Sequence, residues 1–302
     1  HSSNCGVRIG SQLINSSAYA DDITLLSTLL PDLQQLTDYC LDYAHKWRFK
    51  FGVKKSKFMA VGKPVFDDVS LNMMSHVITS EENMEILGVN FSKDSNVKFD
   101  IHVGNRINAS RRAIFSLSSA GMSYPGLSTS VKTYLWKTIG VPSVSYGLNS
   151  VSLSKSDQKR LDSFQGGILK QVLGFSKRSH HSSVLAALDV SPISATIKHS
   201  TVSLLRRVAL ASSPYRDLVC HLLARFWAYG ESGLVPGTIV SRIHNFGMSP
   251  LSVFLGTGDQ PHLQCSNADG VVDSLKYLMF HENFNKPWSY EHTLATLLTR
   301  AF

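Results

Sequence analysis

The sequence predicts an α+β fold in which short antiparallel strands and one packed helix precede a mostly helical region. Two runs of strand-forming residues, 13–18 and 23–27, flank a short polar break at residues 19–22, which is the pattern of a β-hairpin. Apolar residues then recur at three- and four-residue steps over residues 33–47, which predicts an amphipathic helix packed on the sheet. From about Lys93 onward the apolar spacing becomes helical, with Lys and Arg between the apolar positions.

The helix that follows the hairpin has sequence signals at both ends. Pro31 suits the first helical turn, and Asp32 near the start and Lys46 with Arg48 near the end complement the helix dipole. Its predicted apolar face consists of Leu33, Leu36, Tyr39 or Cys40, Tyr43 or Ala44, and Trp47.

The composition of the chain indicates which class of partner it binds. The chain has 302 residues, 43% of them hydrophobic, and a formal net charge of +8. An excess of positive charge favours association with a polyanion such as nucleic acid. The sequence lacks both an apolar run long enough to span a membrane and a signal peptide, so no membrane partner is expected.

The four cysteines are widely spaced and form no C-x-x-C pair. They are Cys5, Cys40, Cys220 and Cys265. In a chain of this length, such spacing predicts buried free thiols in a reducing compartment, and hence an intracellular location, nuclear or cytoplasmic.

Two adjacent carboxylates, Asp21 and Asp22, fall at the tip of the predicted hairpin. Neighbouring like charges repel, and such a pair raises a pKa or recruits a cation. Carboxylate oxygens suit a hard ion such as Mg²⁺, which proteins often hold with one or two carboxylates plus substrate phosphates. The alternative interpretation is an ordinary solvated Asp-Asp turn.

Three ordered segments resemble motifs of one enzyme family. Residues 19–22, YADD between apolar strands, resemble the Tyr-x-Asp-Asp box of reverse transcriptases. Residues 51–59, FGVKKSKFM, resemble the next palm motif, in which a basic residue precedes Ser or Thr and a strand. Residues 85–89, EILGV, are similar to the Leu-Gly strand of the primer grip. The order and spacing resemble most the enzymes of non-long-terminal-repeat (LINE-like) retrotransposons, chiefly over residues 1–92.

The resemblance implies a fold and an activity. Residues 1–92 would form the C-terminal part of a polymerase palm, residues 93–180 a helical thumb, and residues 181–302 a helical C-terminal region of unknown role. The complete enzyme would extend a DNA primer on an RNA template with deoxynucleoside triphosphates, using Mg²⁺ or Mn²⁺.

The same resemblance implies roles for individual residues. Asp21 would be a direct metal ligand, Asp22 an assisting one, and Tyr19 a support for the primer terminus. Lys55 would neutralise or protonate the leaving pyrophosphate, a charge placed near a developing oxyanion. The primer grip would consist of Leu87, Gly88 and Val89.

Basic residues predict further nucleic-acid contacts. From residue 46 to 63 the charge is entirely positive, and Trp47, Phe49, Phe51 and Phe58 are interleaved, which suits phosphate binding and base stacking. The alternative is that these aromatic residues belong to the core and the lysines are merely solvated. Likewise, an ordinary helical bundle with a basic exterior is the alternative to a thumb. The predicted nucleic-acid-binding residues are Lys54, Lys57, Arg106, Arg111, Arg112, Lys132, Lys159 and Arg160.

Several local predictions can be compared with the structure. Residues 84–91 read as one strand, in which Gly88 marks either a bulge or the close approach of another backbone. Pro142 should limit a helix over residues 127–139. His180 and His181 could suggest a metal, but adjacent side chains point apart, so a structural role is favoured. Further strands are predicted over 56–61, 69–71 and 76–78, and further helices over 99–117, 153–173, 193–211 and 215–229.

The resemblance also predicts that this chain is a fragment without polymerase activity of its own. In the family, a third metal-binding Asp lies on a palm strand upstream of the box, which would precede His1. Two alternative functions belong to other classes: a non-catalytic basic module that binds nucleic acid, and a structural remnant that neither binds nor catalyses.

Overall fold

The chain divides into two compact units in its computed structural model. The described residues are 4–9, 12–61, 70–93, 100–122, 126–211, 214–235, 237–255 and 294–300. One unit comprises residues 1–97 together with 277–302, and the other comprises residues 98–276. All the described strands lie in the first unit and most of the described helices in the second. The mixed α+β class predicted from the sequence is confirmed.

The described strands of the first unit pair antiparallel with one another. Four of them form one sheet in the order β3-β4-β10-β5, and the others form the two-stranded pairs β1-β2, β6-β7 and β8-β9. The strands are β1 (Val7–Ile9), β2 (Gln12–Ile14), β3 (Ser16–Tyr19), β4 (Asp22–Ser27), β5 (Lys57–Val61), β6 (Ser70–Met73), β7 (His76–Thr79), β8 (Asn83–Ile86), β9 (Val89–Ser92) and β10 (Leu294–Arg300).

The predicted acidic hairpin is confirmed as β3 and β4. Tyr19 is the backbone partner of Asp22, so Ala20 and Asp21 form a two-residue turn. Ala20 has a φ of 53°, a left-handed conformation that is uncommon for a residue with a Cβ. The hairpin therefore projects Asp21 at its tip, whereas Asp22 is the first residue of a strand.

Strand β10 was not predicted, because residues 181–302 were expected to be helical. It lies between β4 and β5 and pairs antiparallel with both. Strands β4 and β5 each need a partner for their backbone N–H and C=O groups, and β10 supplies it to both. A seven-residue apolar run such as LATLLTR cannot be assigned to helix or strand by periodicity alone, which is why the sequence did not reveal it.

The helix after the hairpin, α1 (Leu30–Lys46), is confirmed, with Pro31 in its first turn. Its Leu33 and Leu36 are buried in one cluster with Leu25 of β4 and Phe58 of β5. Of the paired alternatives on the apolar face, Cys40 and Ala44 point inward, and Tyr39 and Tyr43 point outward. The prediction that Trp47 packs on the sheet was wrong, since its side chain is 61% exposed.

The hairpins β6–β7 and β8–β9 of the first unit have two-residue turns. Met74 and Ser75 connect β6 to β7 in the predicted second hairpin. Residues 84–91, expected to be one strand, are instead the hairpin β8–β9, with Leu87 and Gly88 as its turn. Both turn residues have positive φ, 50° and 78°, as a type I′ hairpin turn requires. Gly88 is therefore a turn glycine and marks no bulge.

The second unit is helical throughout its described residues. None of the described helices is both long and apolar enough to cross a bilayer. The helices are α2 (Asp100–Ser116), α3 (Thr129–Leu135), α4 (Val141–Ser145), α5 (Lys155–Leu173), α6 (His181–Ala187), α7 (Ile193–Leu210), α8 (Pro214–Tyr229), α9 (Ile239–Asn245) and α10 (Pro250–Leu255).

Pro142 does not end the helix that contains it. A π-helical turn, Trp136–Gly140, joins α3 directly to α4. The backbone N–H of Val141 donates to the carbonyl of Trp136, five residues earlier. This wider turn lies immediately before Pro142, whose ring would clash with the carbonyl four residues back in a regular α-helix.

Helices α5 and α7, on either side of the boundary predicted near residue 180, belong to the same unit. The buried amide of Gln165 donates to the carbonyl of Ser191 at 3.0 Å and accepts from the N–H of Ile193 at 3.0 Å. The carboxylate of Asp162 accepts from the N–H and the hydroxyl of Ser194 at 2.9 and 2.6 Å. Side chains of α5 thus accept hydrogen bonds from backbone N–H groups at the start of α7, which have no partner within that helix.

Candidate active site

The two carboxylates of the acidic hairpin differ in their environments. Asp21 lies in the turn and is exposed. Asp22 begins β4 and is half-buried, and its Oδ1 atom is buried. The prediction that both carboxylates stand at the tip therefore holds for Asp21 alone, because the turn contains only two residues. An accessible carboxylate next to a half-buried one is a geometry that a hydrated divalent cation can approach from solvent.

The acidic hairpin offers only oxygen donors, the chemistry that Mg²⁺ and Mn²⁺ prefer. Among the residues that the structure describes, no group of three or more His, Cys, Asp or Glu side chains comes together to hold a metal ion. A cation at the acidic hairpin would thus find the carboxylate oxygens of Asp21 and Asp22 but no third ligand among the described His, Cys, Asp and Glu side chains.

Tyr19 is the hairpin residue best placed to contact a ligand near the carboxylates. It is the last residue of β3, directly opposite Asp22 in the backbone register. Its side chain is 69% exposed. A phenol ring with this exposure is available to pack against a sugar or a base, the role that the resemblance assigns to Tyr19.

The lysines of the basic segment after α1 differ in exposure. Lys54 and Lys55 are exposed on a short 3₁₀ turn, Val53–Lys55. Lys57, by contrast, forms an ion pair with Glu81, with its Nζ 2.7 Å from Oε2. The contribution of Lys57 to phosphate binding is therefore reduced, since a carboxylate already neutralises its charge.

The four aromatic residues interleaved with these lysines also differ in burial. Phe51 and Phe58 are buried in the core, Phe49 is half-buried, and Trp47 is exposed. The alternative interpretation, that these aromatic residues belong to the hydrophobic core, is therefore correct for Phe51 and Phe58.

Of the predicted primer-grip residues, Leu87 and Gly88 form the turn of the β8–β9 hairpin and Val89 is the first residue of β9. Leu87 is 40% exposed at the turn and Gly88 is beside it. Val89, however, is buried, so its side chain is unavailable for contact with a ligand. Of the three predicted primer-grip residues, only Leu87 and Gly88 at the turn can approach a nucleic acid.

In the second unit, two of the six predicted basic residues, Arg111 and Arg160, lie where α2 packs against α5. The guanidinium of Arg111 lies 5.7 Å from the ring centroid of Phe164, and Nη2 of Arg160 lies beside Gly104. Arg112 and Lys159 are exposed on the same two helices. All four of these side chains are exposed.

Two other basic residues of the second unit have structural partners. Arg106 stacks over the Tyr146 ring, 5.4 Å from its centroid. Lys132 is buried, and its Nζ donates to the carbonyl of Val172 near the end of α5, at 3.3 Å. The sequence prediction for Lys132 is corrected accordingly: its ammonium serves a helix end and does not reach solvent.

The exposure of Tyr39 and Tyr43 on α1 was not predicted from the sequence. Both were left as alternatives to residues on the buried face, whereas Trp47 was assigned to that face and also to the aromatic residues that suit base stacking. The sequence does contain an indication of this exposure. Tyr39, Tyr43 and Trp47 are spaced four residues apart, and so are Leu36, Cys40 and Ala44, which gives the helix two apolar rows. Two apolar rows on one helix leave one of them in solvent.

No known protein family, curated protein or solved structure matches this chain. The acidic hairpin and the exposed basic residues of the two units are therefore the features from which a function can be inferred.

Proposed function

We propose that this chain is part of an RNA-directed DNA polymerase of a LINE-like retrotransposon. The first unit would contribute the late palm, and α2 to α5 of the second unit the thumb. The observation that carries this proposal is the acidic hairpin, which exposes Asp21 at a two-residue turn. It is followed in chain order by a packed helix, exposed lysines and the β8–β9 hairpin, the order in which reverse transcriptase motifs occur.

In the proposed reaction, the 3′-hydroxyl of a DNA primer attacks the α-phosphate of a deoxynucleoside triphosphate. A new phosphodiester bond forms and pyrophosphate leaves. Mg²⁺ held by Asp21 and Asp22 would supply charge stabilisation for the attacking and leaving oxygens. Tyr19 would pack against the primer terminus, and Lys55 would stabilise the charge that develops on pyrophosphate.

The basic surface of the second unit supports a duplex partner. An A-form hybrid is recognised mainly through its backbone and shape, so exposed Arg and Lys side chains suffice. Arg111, Arg112, Lys159 and Arg160 provide such contacts without a code for base sequence. We expect binding of an RNA–DNA hybrid that weakens steeply with salt.

Primer extension tests the catalytic part of the proposal. Two carboxylates from the acidic hairpin do not make a complete two-metal site, which in the family needs a third Asp. We expect no incorporation by the 302-residue chain on a homopolymer RNA template with a DNA primer and Mg²⁺. Robust incorporation that Asp21→Ala abolishes, and that the exposed control Asp42→Ala leaves intact, would refute this incomplete-site model.

A non-catalytic module that binds nucleic acid is the second candidate. It is favoured by the exposed basic residues, present in both units, beside an acidic hairpin that supplies only two carboxylates. For such a module, Asp21→Asn would change neither affinity for the hybrid nor its dependence on Mg²⁺. In the polymerase proposal, Mg²⁺ strengthens the binding of hybrid with a matched nucleoside triphosphate, and Asp21→Asn removes that effect.

A further inference from the structure

Helix α1 exposes a row of aromatic side chains that the proposed active site does not use. Tyr39, Tyr43 and Trp47 are 44%, 58% and 61% exposed. They are spaced four residues apart, so they line one face of the helix and the residue that follows it. We call these three residues the aromatic stripe. Adjacent exposed aromatic residues form a contiguous apolar patch, which typically marks a binding surface.

The aromatic stripe is anchored to the core of the first unit. The ring centroids of Tyr43 and Trp47 are 6.0 Å apart, and those of Tyr43 and Phe49 are 6.2 Å apart. Phe49 in turn packs edge-on against the buried Phe51, with centroids 5.3 Å apart. These contacts hold the rings in place, so a ligand that stacks on them loses little to their ordering.

The end of α1 places positive charge beside the aromatic stripe. The N–H of Phe49 donates to the carbonyl of Ala44 at 3.1 Å, and the N–H of Arg48 donates to that of His45 at 3.2 Å. These two bonds close the helix end in a Schellman arrangement. Arg48 has a φ of 59°, a conformation that glycine adopts with least strain. The chain thus holds an arginine where glycine would be more stable.

Every charged residue from position 46 to position 50 is basic. Lys46, Arg48 and Lys50 are exposed, and none of them forms an ion pair with a described carboxylate. The nearest acidic residue in the sequence is the exposed Asp42, one helical turn before Lys46. Asp38 lies one turn further toward the start of α1 and accepts a hydrogen bond from Gln34. An anion with planar apolar groups matches this combination of charge and ring faces.

We propose that the aromatic stripe binds unpaired nucleotides of a single-stranded nucleic acid. Bases would stack on Trp47 and Tyr43 while phosphates contact Lys46, Arg48 and Lys50. A duplex hides the faces of its bases, so this site selects single strands without reading their sequence. The inference shares with the proposed function only the class of partner, nucleic acid, and it uses no residue of the acidic hairpin.

Binding of a labelled oligodeoxythymidine of about twelve nucleotides tests the proposal by fluorescence anisotropy. We expect Trp47→Ala to weaken binding about 5- to 150-fold, the range measured for loss of one stacking aromatic. Trp47→Phe keeps a ring and should retain most of the affinity. A blunt duplex of the same length should bind equally well to the wild type and to Trp47→Ala.

Two control variants separate this site from the rest of the protein. Trp227→Ala removes an indole of similar exposure, 52%, from α8 of the other unit, and should leave affinity for the oligonucleotide unchanged. Asp21→Asn should also leave it unchanged. The proposal is overturned if the wild type does not bind the oligonucleotide, if Trp47→Ala binds it as tightly as wild type, or if Trp47→Ala weakens duplex binding equally. A failure of this kind leaves hybrid binding by the second unit, and hence the proposed function, standing.

Substitution of Arg48 gives an independent test with two readouts. Arg48→Gly should raise the melting temperature, because glycine relieves the left-handed strain, and should weaken binding of the oligonucleotide, because a phosphate contact is lost. Opposite changes in stability and affinity would support a binding role for Arg48. Unchanged affinity would contradict the assignment of phosphates to this end of the aromatic stripe.

Discussion

The imidazole of His181 lies against α5, where a Cβ added at Gly166 would come within 2.6 Å of the ring. Burial lowers the pKa of His181, nearby Asp162 raises it, and Lys170 lowers it further, with a net decrease below the ordinary value of 6.5. The fold therefore favours the neutral ring. The His181 ring packs against α5, whereas His180 is exposed.

The pKa of His181 makes stability depend on pH. A histidine whose folded pKa is below its unfolded value stabilises fully above about pH 6.5 and loses that contribution as the pH falls through the folded pKa. We expect the fall in melting temperature between about pH 7.5 and about pH 5 to be smaller in His181→Gln than in wild type. The exposed neighbour supplies a matched control, since His180→Gln should keep the wild-type dependence. Equal slopes for all three proteins would contradict this prediction.

The sequence predicted which residues are candidates for the site, but it did not predict which of their side chains are exposed to solvent. The sequence identified Asp21 and Tyr19, which the structure exposes at the acidic hairpin. It also grouped Lys132 with the surface arginines, although this lysine is buried and donates to a carbonyl. A basic residue on an amphipathic helix can face solvent or extend its ammonium to a helix end, and only the packing of α3 against α5 decides between the two.

At the scale of elements, the long periodic helices were the easiest to predict and the tight turns the hardest. The predicted helices over 99–117, 153–173 and 193–211 match α2, α5 and α7 to within a few residues. The hairpin β8–β9 was read as one strand, because its turn pair, Leu87 and Gly88, continues the apolar run on either side. The glycine was the only signal of that turn, and it was interpreted as a bulge.

Gly88 provides a test of that turn. Its φ of 78° favours residues that tolerate the left-handed region. We expect Gly88→Ala to lower the free energy of unfolding by about 1 kcal/mol, and Gly88→Asn to lower it by less, because Asn adopts this conformation more readily. Urea unfolding measures both changes. If alanine proved harmless, or asparagine no better than alanine, the turn assignment would be wrong.

At the scale of the whole molecule, the sequence predicted the mixed α+β class of the fold, but not the strand that completes the central sheet. Strand β10 joins β4 to β5 although more than 230 residues separate it from β5 in the sequence. Pairing over such a distance leaves no local periodicity to detect. The net charge of +8 favours a nucleic-acid partner, and both units expose basic side chains on which such a partner can bind.

The central claim is that the acidic hairpin binds a divalent cation. Mn²⁺, which can replace Mg²⁺ at oxygen sites, is the most direct probe, because the electron paramagnetic resonance signal of free Mn²⁺ reports how much remains unbound. With RNA–DNA hybrid and a matched deoxynucleoside triphosphate present, we expect the wild-type chain to bind Mn²⁺ at a site that Asp21→Asn eliminates and that Asp42→Asn, a change at an exposed position on α1, leaves intact. Identical Mn²⁺ binding by the wild type and Asp21→Asn would contradict the account.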